Sequence, residues 1–343
     1  MSRLILDPFG GPGGWAEGLR MLGLSEVGVE LDASACATRA AAGHRTIRAD
    51  VCTMPLDHLA GRVEGLIMSP PCQAFSMAGK RQGWDALNAI CRAIAEGDWS
   101  LRCPGSEVLQ VGRWAETIRP RWIACEQVPT VNPIWLAYVV RWRDWCDGWT
   151  MWNGVLNAAD YGVPQTRQRA FLVARTDGPP VHPPAPTHSD TGHASMFGEL
   201  RPWVSMDDAI GWGFTDKPAR TICGHRQPRW IYQDRDGTHG RVLDRRTNSK
   251  TAGGGMAPTV PVPTDRPAPT LTGQCLGQWL VRDGDDSRTL TTQEVLTLQG
   301  FPADYPVQGN RSEVGLQVAN AVPPLLAAHV IASLTGRRLE AAS

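Results

Sequence analysis

The chain has 343 residues, with 34 Lys+Arg balanced by 34 Asp+Glu, and nine cysteines. That length allows one large core with a smaller lobe, or two domains of ordinary size, and the zero net charge excludes a general attraction to nucleic acid or membrane, so any basic surface must be local. The cysteines form no CxxC pair and no Cys/His cluster with zinc spacing, which argues against a structural metal and for free thiols in a reducing compartment.

In chain order, the N-terminus MSRLILDPFGGPGG carries only a short apolar run before Asp7, too short for a signal peptide or a membrane span, so a cytoplasmic protein is expected. Residues 1–175 then alternate apolar runs with helical patterns. LILD (4–7), VGVE (27–30), TIRA (46–49), GLIMS (65–69), WIACE (122–126) and AFLVA (170–174) read as buried strands. WAEGLRMLG (15–23) and SEVLQVGRWAETI (106–118) have helical apolar spacing, the second with Ser106 as its cap and its end set by Pro120. This rhythm predicts an α/β fold, a doubly wound sheet of Rossmann-like type.

Between 176 and 287 Pro, Gly, Asp and Arg interrupt nearly every run, and three Pro-led, β-prone segments recur: DKPARTI (216–222), MAPTV (256–260) and DRPAPTL (265–271). A strand-poor lobe of separate construction is expected there. The helical pattern returns in TTQEVLTLQGF and in QVANAVPPLLAAHVIASL, the latter apolar enough to pack back on the first domain. The expected organisation is one domain from 1–175 plus 288–343 and a second from 176–287.

Four motifs bear chemistry. DPFGGPGG, between a strand and a helix, lets backbone approach a ligand and offers helix N–H groups, although a glycine loop alone fits any nucleotide-binding sheet. Glu30 and Asp50 end the next two strands, where carboxylates can take ribose hydroxyls and an adenine amino group. SPPCQAFS (69–76) follows a strand's carboxyl end, with two prolines fixing the approach to Cys72, a nucleophile candidate. ACEQV (124–128) places Glu126 at a strand end, where a partly desolvated carboxyl can hold or donate a proton. In YGVPQTRQRAFLVA (161–174), Gln165, Arg167 and Arg169 alternate and are expected to share one face as a clamp for a polar ring or phosphate.

With RTLTTQEVLTLQGFP and ANAVPP, this ordered series resembles the DNA cytosine-5 methyltransferase family over most of the chain. The resemblance implies a class I S-adenosylmethionine-dependent methyltransferase with a smaller, irregular target-recognition domain at 176–287. It implies Cys72 as the nucleophile at carbon 6 of cytosine, Glu126 at ring nitrogen 3, and Arg167 orienting the base, supported by Gln165 and Arg169. Gln73 and Ser76, beside Cys72, join the substrate set. S-adenosylmethionine would be lined by Phe9, Gly11, Gly13, Leu31 and Val51, with Glu30 on the ribose, Asp50 on the adenine and Asn320 closing the pocket.

The partner implied is duplex DNA, from which the cytosine is extruded. Segment 217–250 holds nine Lys/Arg against three Asp, a net of +6, and Arg226, Arg229, Arg245 and Arg246 are its candidate phosphate contacts. No metal and no membrane are expected; a monomer, bacterial or phage-encoded, is, and whether a companion restriction endonuclease exists is left open by the sequence. The sequence departs from the family pattern at Gln127 in place of Asn, at Ser69 in place of Gly or Phe, at Ala319 before Asn320, and at Leu31 in place of an aromatic residue. Two rival readings are a tRNA-acting relative, against which the long basic insert speaks, and a silent DNA-binding relative, against which Cys72, Glu126 and Arg167 speak. A nicotinamide dehydrogenase leaves PPCQ and QTRQR unexplained.

Overall fold

The structure is a computed structural model that describes residues 4–71, 74–75, 82–145, 148–192, 194–195, 198–211, 242–245, 261–273, 275–283 and 286–339. The apolar runs of the first half form strands β1 (Leu4–Pro8), β2 (Val27–Glu30), β3 (Arg45–Arg48), β4 (Val63–Met68), β5 (Trp122–Gln127), β6 (Thr150–Asn157) and β7 (Gln168–Arg175). They make one sheet in the order β3-β2-β1-β4-β5-β7-β6. β3, β2, β1, β4 and β5 run parallel, and β7 is antiparallel to both β5 and β6. Winding reverses between β1 and β4, the switch point at which such sheets open a crevice beyond their carboxyl ends.

Helices α1 (Gly14–Arg20), α2 (Ala33–Ala41), α3 (Gln82–Glu96), α4 (Gln110–Ile118) and α5 (Asn132–Trp145) connect these strands. Alternation along the strands buries both faces. Leu66, Met68, Ile123, Cys125 and Leu172 pack with Ile90, Trp114, Trp135, Tyr138 and Trp142 of α3, α4 and α5. Ile5, Ile67, Trp122, Ala124, Phe171 and Val173 pack on the other side with Trp15 and Leu19 of α1. The predicted strands all appear, shifted by a few residues at their ends. The predicted helix over 106–118 begins as a 3-10 turn, Ser106–Leu109, led by Gly105 at φ 86°, so Ser106 is not its cap.

The second half contains α6 (Met206–Ile210), α7 (Cys275–Gln278), α8 (Thr292–Leu298), α9 (Arg311–Asn320) and α10 (Pro324–Thr335). Strands β8 (Val242–Arg245), β9 (Trp279–Asp283) and β10 (Asp286–Thr289) form a four-stranded antiparallel sheet with Val262–Pro263, more strand than the Pro-rich sequence suggested. α8 starts on a capping box between Thr291 and Glu294. QVANAVPPLLAAHVIASL is two helices rather than one: Ala321 is extended, with ψ 145°, because Pro323 and Pro324 supply no N–H and disfavour helical backbone before them.

The two terminal helices serve different cores. Val314 and Val318 of α9, with Leu290, Leu296 and Phe301, complete an apolar cluster with Leu243, Leu271, Trp279 and Val281. Val322, Leu326, Val330 and Ile331 join the main sheet beside α1. Of the Pro-led segments, only DRPAPTL is described in full; its Ala268–Pro269 pairs parallel with Gln165–Thr166, which brings the second half to the start of β7. DKPARTI and all but Val242–Arg245 of the arginine-rich stretch beyond it lie outside the described residues, as does MAPTV.

Candidate active site

The loop after β1 turns at Gly11 (φ 50°) and Gly13 (φ 105°), backbone that glycine adopts without strain, and at Phe9 (φ 69°), where a side chain is held in the same left-handed region. Phe9, partly buried against the main core, and Gly10 both donate their N–H to the Val29 carbonyl, at 3.0 and 3.1 Å. Glu30 ties the loop down: its Oε2 accepts from Gly11 N–H at 2.8 Å, and its Oε1 from Leu31 and Asp32 N–H at 2.7 and 2.8 Å. The glycines divide by role. A Cβ on Gly11 would meet nothing within 4 Å, which marks the loop's open side. One on Gly13 would lie 2.8 Å from the Tyr305 hydroxyl and one on Gly14 2.2 Å from the Val322 carbonyl, so these two make room for the returning chain. Tyr305 donates its hydroxyl to the Pro12 carbonyl at 2.5 Å.

Leu31 stands 60% exposed past the end of β2. Asp50 is exposed and accepts the Cys52 N–H at 2.8 Å. Val51 is buried, and its carbonyl accepts from Arg113 Nη2 at 2.5 Å and Trp114 Nε1 at 3.1 Å. Asn320 is the exposed last residue of α9.

Beneath the glycine loop lies a charged group that no sequence motif signalled. Arg39 of α2 is fully buried; Nη2 pairs with Glu26 at 2.5 Å, Nη1 lies 3.9 Å from Asp7, and Nη1 donates to the Gly10 carbonyl at 3.0 Å. Gly28 makes the space, since a Cβ there would sit 2.2 Å from Nη2. Burial pushes the Asp7 and Glu26 carboxyls above their ordinary range, the Glu26 charge adds to this at Asp7, and Arg39 opposes it at both.

At the carboxyl end of β5, the face of Trp122 and Ala124 continues to Glu126, 5% exposed. Its Oε1 pairs with Arg169 Nε at 3.0 Å. Ser69 lies beside its carboxyl, one step beyond the Met68–Cys125 pair. Burial raises the Glu126 carboxyl above its ordinary range, against the Arg169 and Arg167 charges and the Ser69 hydrogen bond. Gln127 points to the opposite face, where its Nε2 donates to the Pro70 carbonyl at 2.8 Å and its Oε1 accepts Val128 N–H at 2.6 Å. Thr130 Oγ1 donates to the Phe75 carbonyl at 3.1 Å. Pro70 and Phe75, which flank Cys72 in the sequence, are thus tied to the end of β5 and to the turn after it. Cys72, Gln73 and Ser76 themselves lie outside the described residues.

Gln165, Arg167 and Arg169 divide their partners. Gln165 and Arg167 are buried: Gln165 Nε2 donates to the Leu298 carbonyl at 3.2 Å and to Gln299 Oε1 at 2.9 Å, and Arg167 Nη2 donates to the Ala321 carbonyl at 3.1 Å. Arg169 pairs directly with Glu126, and the Arg167 charge also bears on that carboxyl. Gln165–Thr166 pairs with Ala268–Pro269, while the ladder of the main sheet begins at Gln168. Arg226, Arg229 and Arg246 lie outside the described residues, and Arg245 is described as the last residue of β8, opposite Trp279, without its side chain. Among the described residues no cluster of His, Cys, Asp and Glu fits a metal ion, and Cys36, Cys52, Cys91, Cys103, Cys125 and Cys275 are free thiols.

A family model described as C-5 cytosine-specific DNA methylase matches residues 4–91 and 147–336. Type II methyltransferase M1.HphI of Haemophilus parahaemolyticus is 28% identical over 355 residues, covering 95% of this chain and 85% of its own length. Type II methyltransferase M.AquIA of Picosynechococcus is 31% identical over 233 residues, covering 61% of this chain and 88% of its own. Among solved structures, the Dnmt2 methyltransferase of S. pombe superposes with a TM-score of 0.58 at 16% identity, over 97% of this chain and 98% of its own, a likeness of fold.

Proposed function

The chain belongs to the C-5 cytosine-specific DNA methylase family and is a DNA cytosine-5 methyltransferase, and on that premise we propose that it methylates cytosine in a specific duplex sequence from S-adenosylmethionine, with Cys72 as nucleophile. The observation that carries the reading is Glu126, buried and paired with Arg169, at the strand end to which the Pro70–Phe75 loop is moored.

The chemistry follows from those groups. The Cys72 thiolate adds to carbon 6 of the base, and the electron pair displaced from the 5,6 double bond makes carbon 5 nucleophilic. Ring nitrogen 3 gains negative charge in that step. A carboxyl that carries a proton can bond it, and burial pushes Glu126, to which that role is assigned, toward this form. Arg169, at Glu126 Oε1, is the arginine placed to orient this carboxyl and the base; Arg167 and Gln165 act behind it, tying the start of β7 to the Leu298–Ala321 segment. Once carbon 5 carries the methyl group, transfer of its proton to solvent re-forms the double bond and expels the thiolate.

S-adenosylmethionine, when bound, supplies the electrophilic methyl group. The residues present fit its adenosine half: the loop is open at Gly11, Glu30 Oε2 accepts one N–H and keeps a lone pair for a ribose hydroxyl, Leu31 offers apolar surface, and Asp50 is exposed to an amino group. Phe9, Gly13 and Val51 form the wall behind, and Asn320 stands near the Ala321–Pro323 turn that backs the loop.

Residues 176–287 are proposed as the target-recognition domain, with Arg226, Arg229, Arg245 and Arg246 on phosphates. Gln73 and Ser76, on the loop with Cys72, are proposed to face the base and its strand. A monomer acting in the cytoplasm of a bacterial or phage-infected cell is proposed, and the bacterial Type II names of its relatives speak for a companion restriction endonuclease. The test is to incubate the protein with labelled S-adenosylmethionine and mixed-sequence duplex DNA and to sequence the product for 5-methylcytosine. Methylation within one short context is expected; label on RNA, or on nothing, contradicts the reading.

A further inference from the structure

At the carboxyl end of β4 an indole, a hydroxyl and a carboxyl lie in series. Trp15 Nε1 donates to Ser69 Oγ at 2.9 Å, and Ser69 lies beside the Glu126 carboxyl. The sheet dictates the second contact. Ile67 pairs with Ala124 and Met68 with Cys125, so the next step of the register sets Ser69 beside Glu126, and strand parity puts both on the face of Ile67 and Ala124. An indole N–H only donates. It therefore takes up Ser69 as an acceptor and leaves the hydroxyl's single proton for the carboxyl.

We propose that Ser69 is a positioning residue for cytosine methylation: fixed by Trp15, its hydroxyl donates to Glu126 and sets the rotation of that carboxyl. The proposal rests on the reading of Glu126 as the group that faces the base. Trp15 is the second residue of α1, immediately behind the glycine loop, so the series links the cofactor side of the crevice to the base side. Trp15 is itself held edge-on against Phe171, ring centroids 6.2 Å apart at 81°, and Phe171 is the register partner of Glu126 on β7. The charged groups facing Glu126 are Arg169 and Arg167; Ser69 is the neutral donor on the β4 side.

The Ser69 hydroxyl bears on protonation as well as on packing. Ring nitrogen 3 of neutral cytosine is an acceptor, so Glu126 must carry a proton to bond it. The Ser69 hydroxyl favours the ionised form, in the same direction as the two arginines and against burial. Removing it keeps Glu126 protonated to higher pH and loosens its orientation. Ser69→Ala should therefore lower plateau kcat by roughly ten- to a hundredfold while moving the basic limb of the kcat profile upward.

The full-length protein is labelled with 13C at glutamate side-chain carboxyls, Glu126 is assigned by its loss in Glu126→Gln, and the signal is titrated without DNA. Ser69→Ala is expected to move the midpoint up, Trp15→Phe to move it part of the way, and Ser69→Thr to restore it. The Trp15→Phe/Ser69→Ala double variant should move it no further than Ser69→Ala alone, because both act through one hydroxyl. kcat profiles on mixed-sequence duplex DNA should shift in step. An unmoved midpoint in a Ser69→Ala protein with parental near-ultraviolet circular dichroism overturns the series, as do additive shifts in the double variant. A moved midpoint in a parent that methylates no DNA instead overturns the base-facing reading, and the catalytic role of Ser69 with it.

Discussion

The molecule holds two buried arginine–carboxylate groups within the same sheet, and they differ in whether anything can reach them. Arg39 and Glu26 expose 0% and 1% of their side chains, sealed behind the glycine loop with Asp7; Arg169 and Glu126 expose 12% and 7%, at the open carboxyl end of β5. Chemically the pairs are alike, and burial raises the carboxyl in each. The sealed group can only support the loop, through the Arg39 bond to the Gly10 carbonyl. The open one can exchange a proton with a base. Location at a strand's carboxyl end, rather than the perturbed acid itself, is what distinguishes a reactive group from a scaffold.

That contrast is sharpened by substitutions whose effects should separate. Cys72→Ala should abolish methyl transfer and leave S-adenosylmethionine binding, followed by calorimetry, close to that of the parent. Glu126→Gln should lower kcat by about 10²–10⁴-fold with little change in melting temperature. Arg39→Met should do the reverse, costing about 3–5 kcal/mol of stability because two buried carboxyls are left without their partner. Asp7 and Glu26 are already raised in the folded state, so their contribution is present at low pH and is lost as pH rises through their folded pKa. Without Arg39 that loss deepens: the Arg39→Met deficit, measured by denaturant melts, should be greatest at neutral pH and shrink toward about pH 4. A variant inactive at full stability would place Arg39 in the reaction and erase the distinction.

Smaller effects are expected at the margins of the site. Gln127→Ala leaves the Pro70 carbonyl without its donor and should cost about 1–3 kcal/mol, with a lower kcat and an unchanged KM for the cofactor. Gln127→Asn tests whether the shorter amide still reaches. Neutralising Arg226, Arg229, Arg245 and Arg246 should weaken DNA binding across all sequences and flatten its salt dependence, by up to about 0.9 in slope for each phosphate no longer neutralised.

The sequence carried the main sheet well because its strands are buried on both faces and read as unbroken apolar runs, as in VGVE and WIACE. It carried the helices less well. α2 is rich in alanine and shows no apolar stripe, and the break after Asn320 depends on two prolines inside an otherwise continuous apolar run. Glu30, Asp50 and Glu126 were legible as strand-end carboxylates. The division of labour inside QTRQR was not, since the ladder partner that captures Gln165–Thr166 lies about a hundred residues later, at Ala268–Pro269. Arg39 left no local signal either: its partners Glu26 and Asp7 stand just before β2 and on β1, and the space it fills is recorded only as glycines at 10 and 28. Ser69 was visible as a departure from the family pattern, but its meaning depended on Trp15, brought to it from α1 by tertiary packing.

The central claim is that Cys72 attacks the cytosine ring, and covalent trapping tests it most directly. Duplex DNA of mixed sequence with 5-fluorocytosine at every cytosine is incubated with the protein and S-adenosylmethionine. Fluorine at carbon 5 cannot leave as a proton does, so the adduct persists for peptide mass spectrometry. A nucleotide joined to the peptide containing Cys72 is predicted in the parent, and none in Cys72→Ala. An adduct on another residue, or methylated ordinary DNA from a Cys72→Ala protein, would contradict the claim.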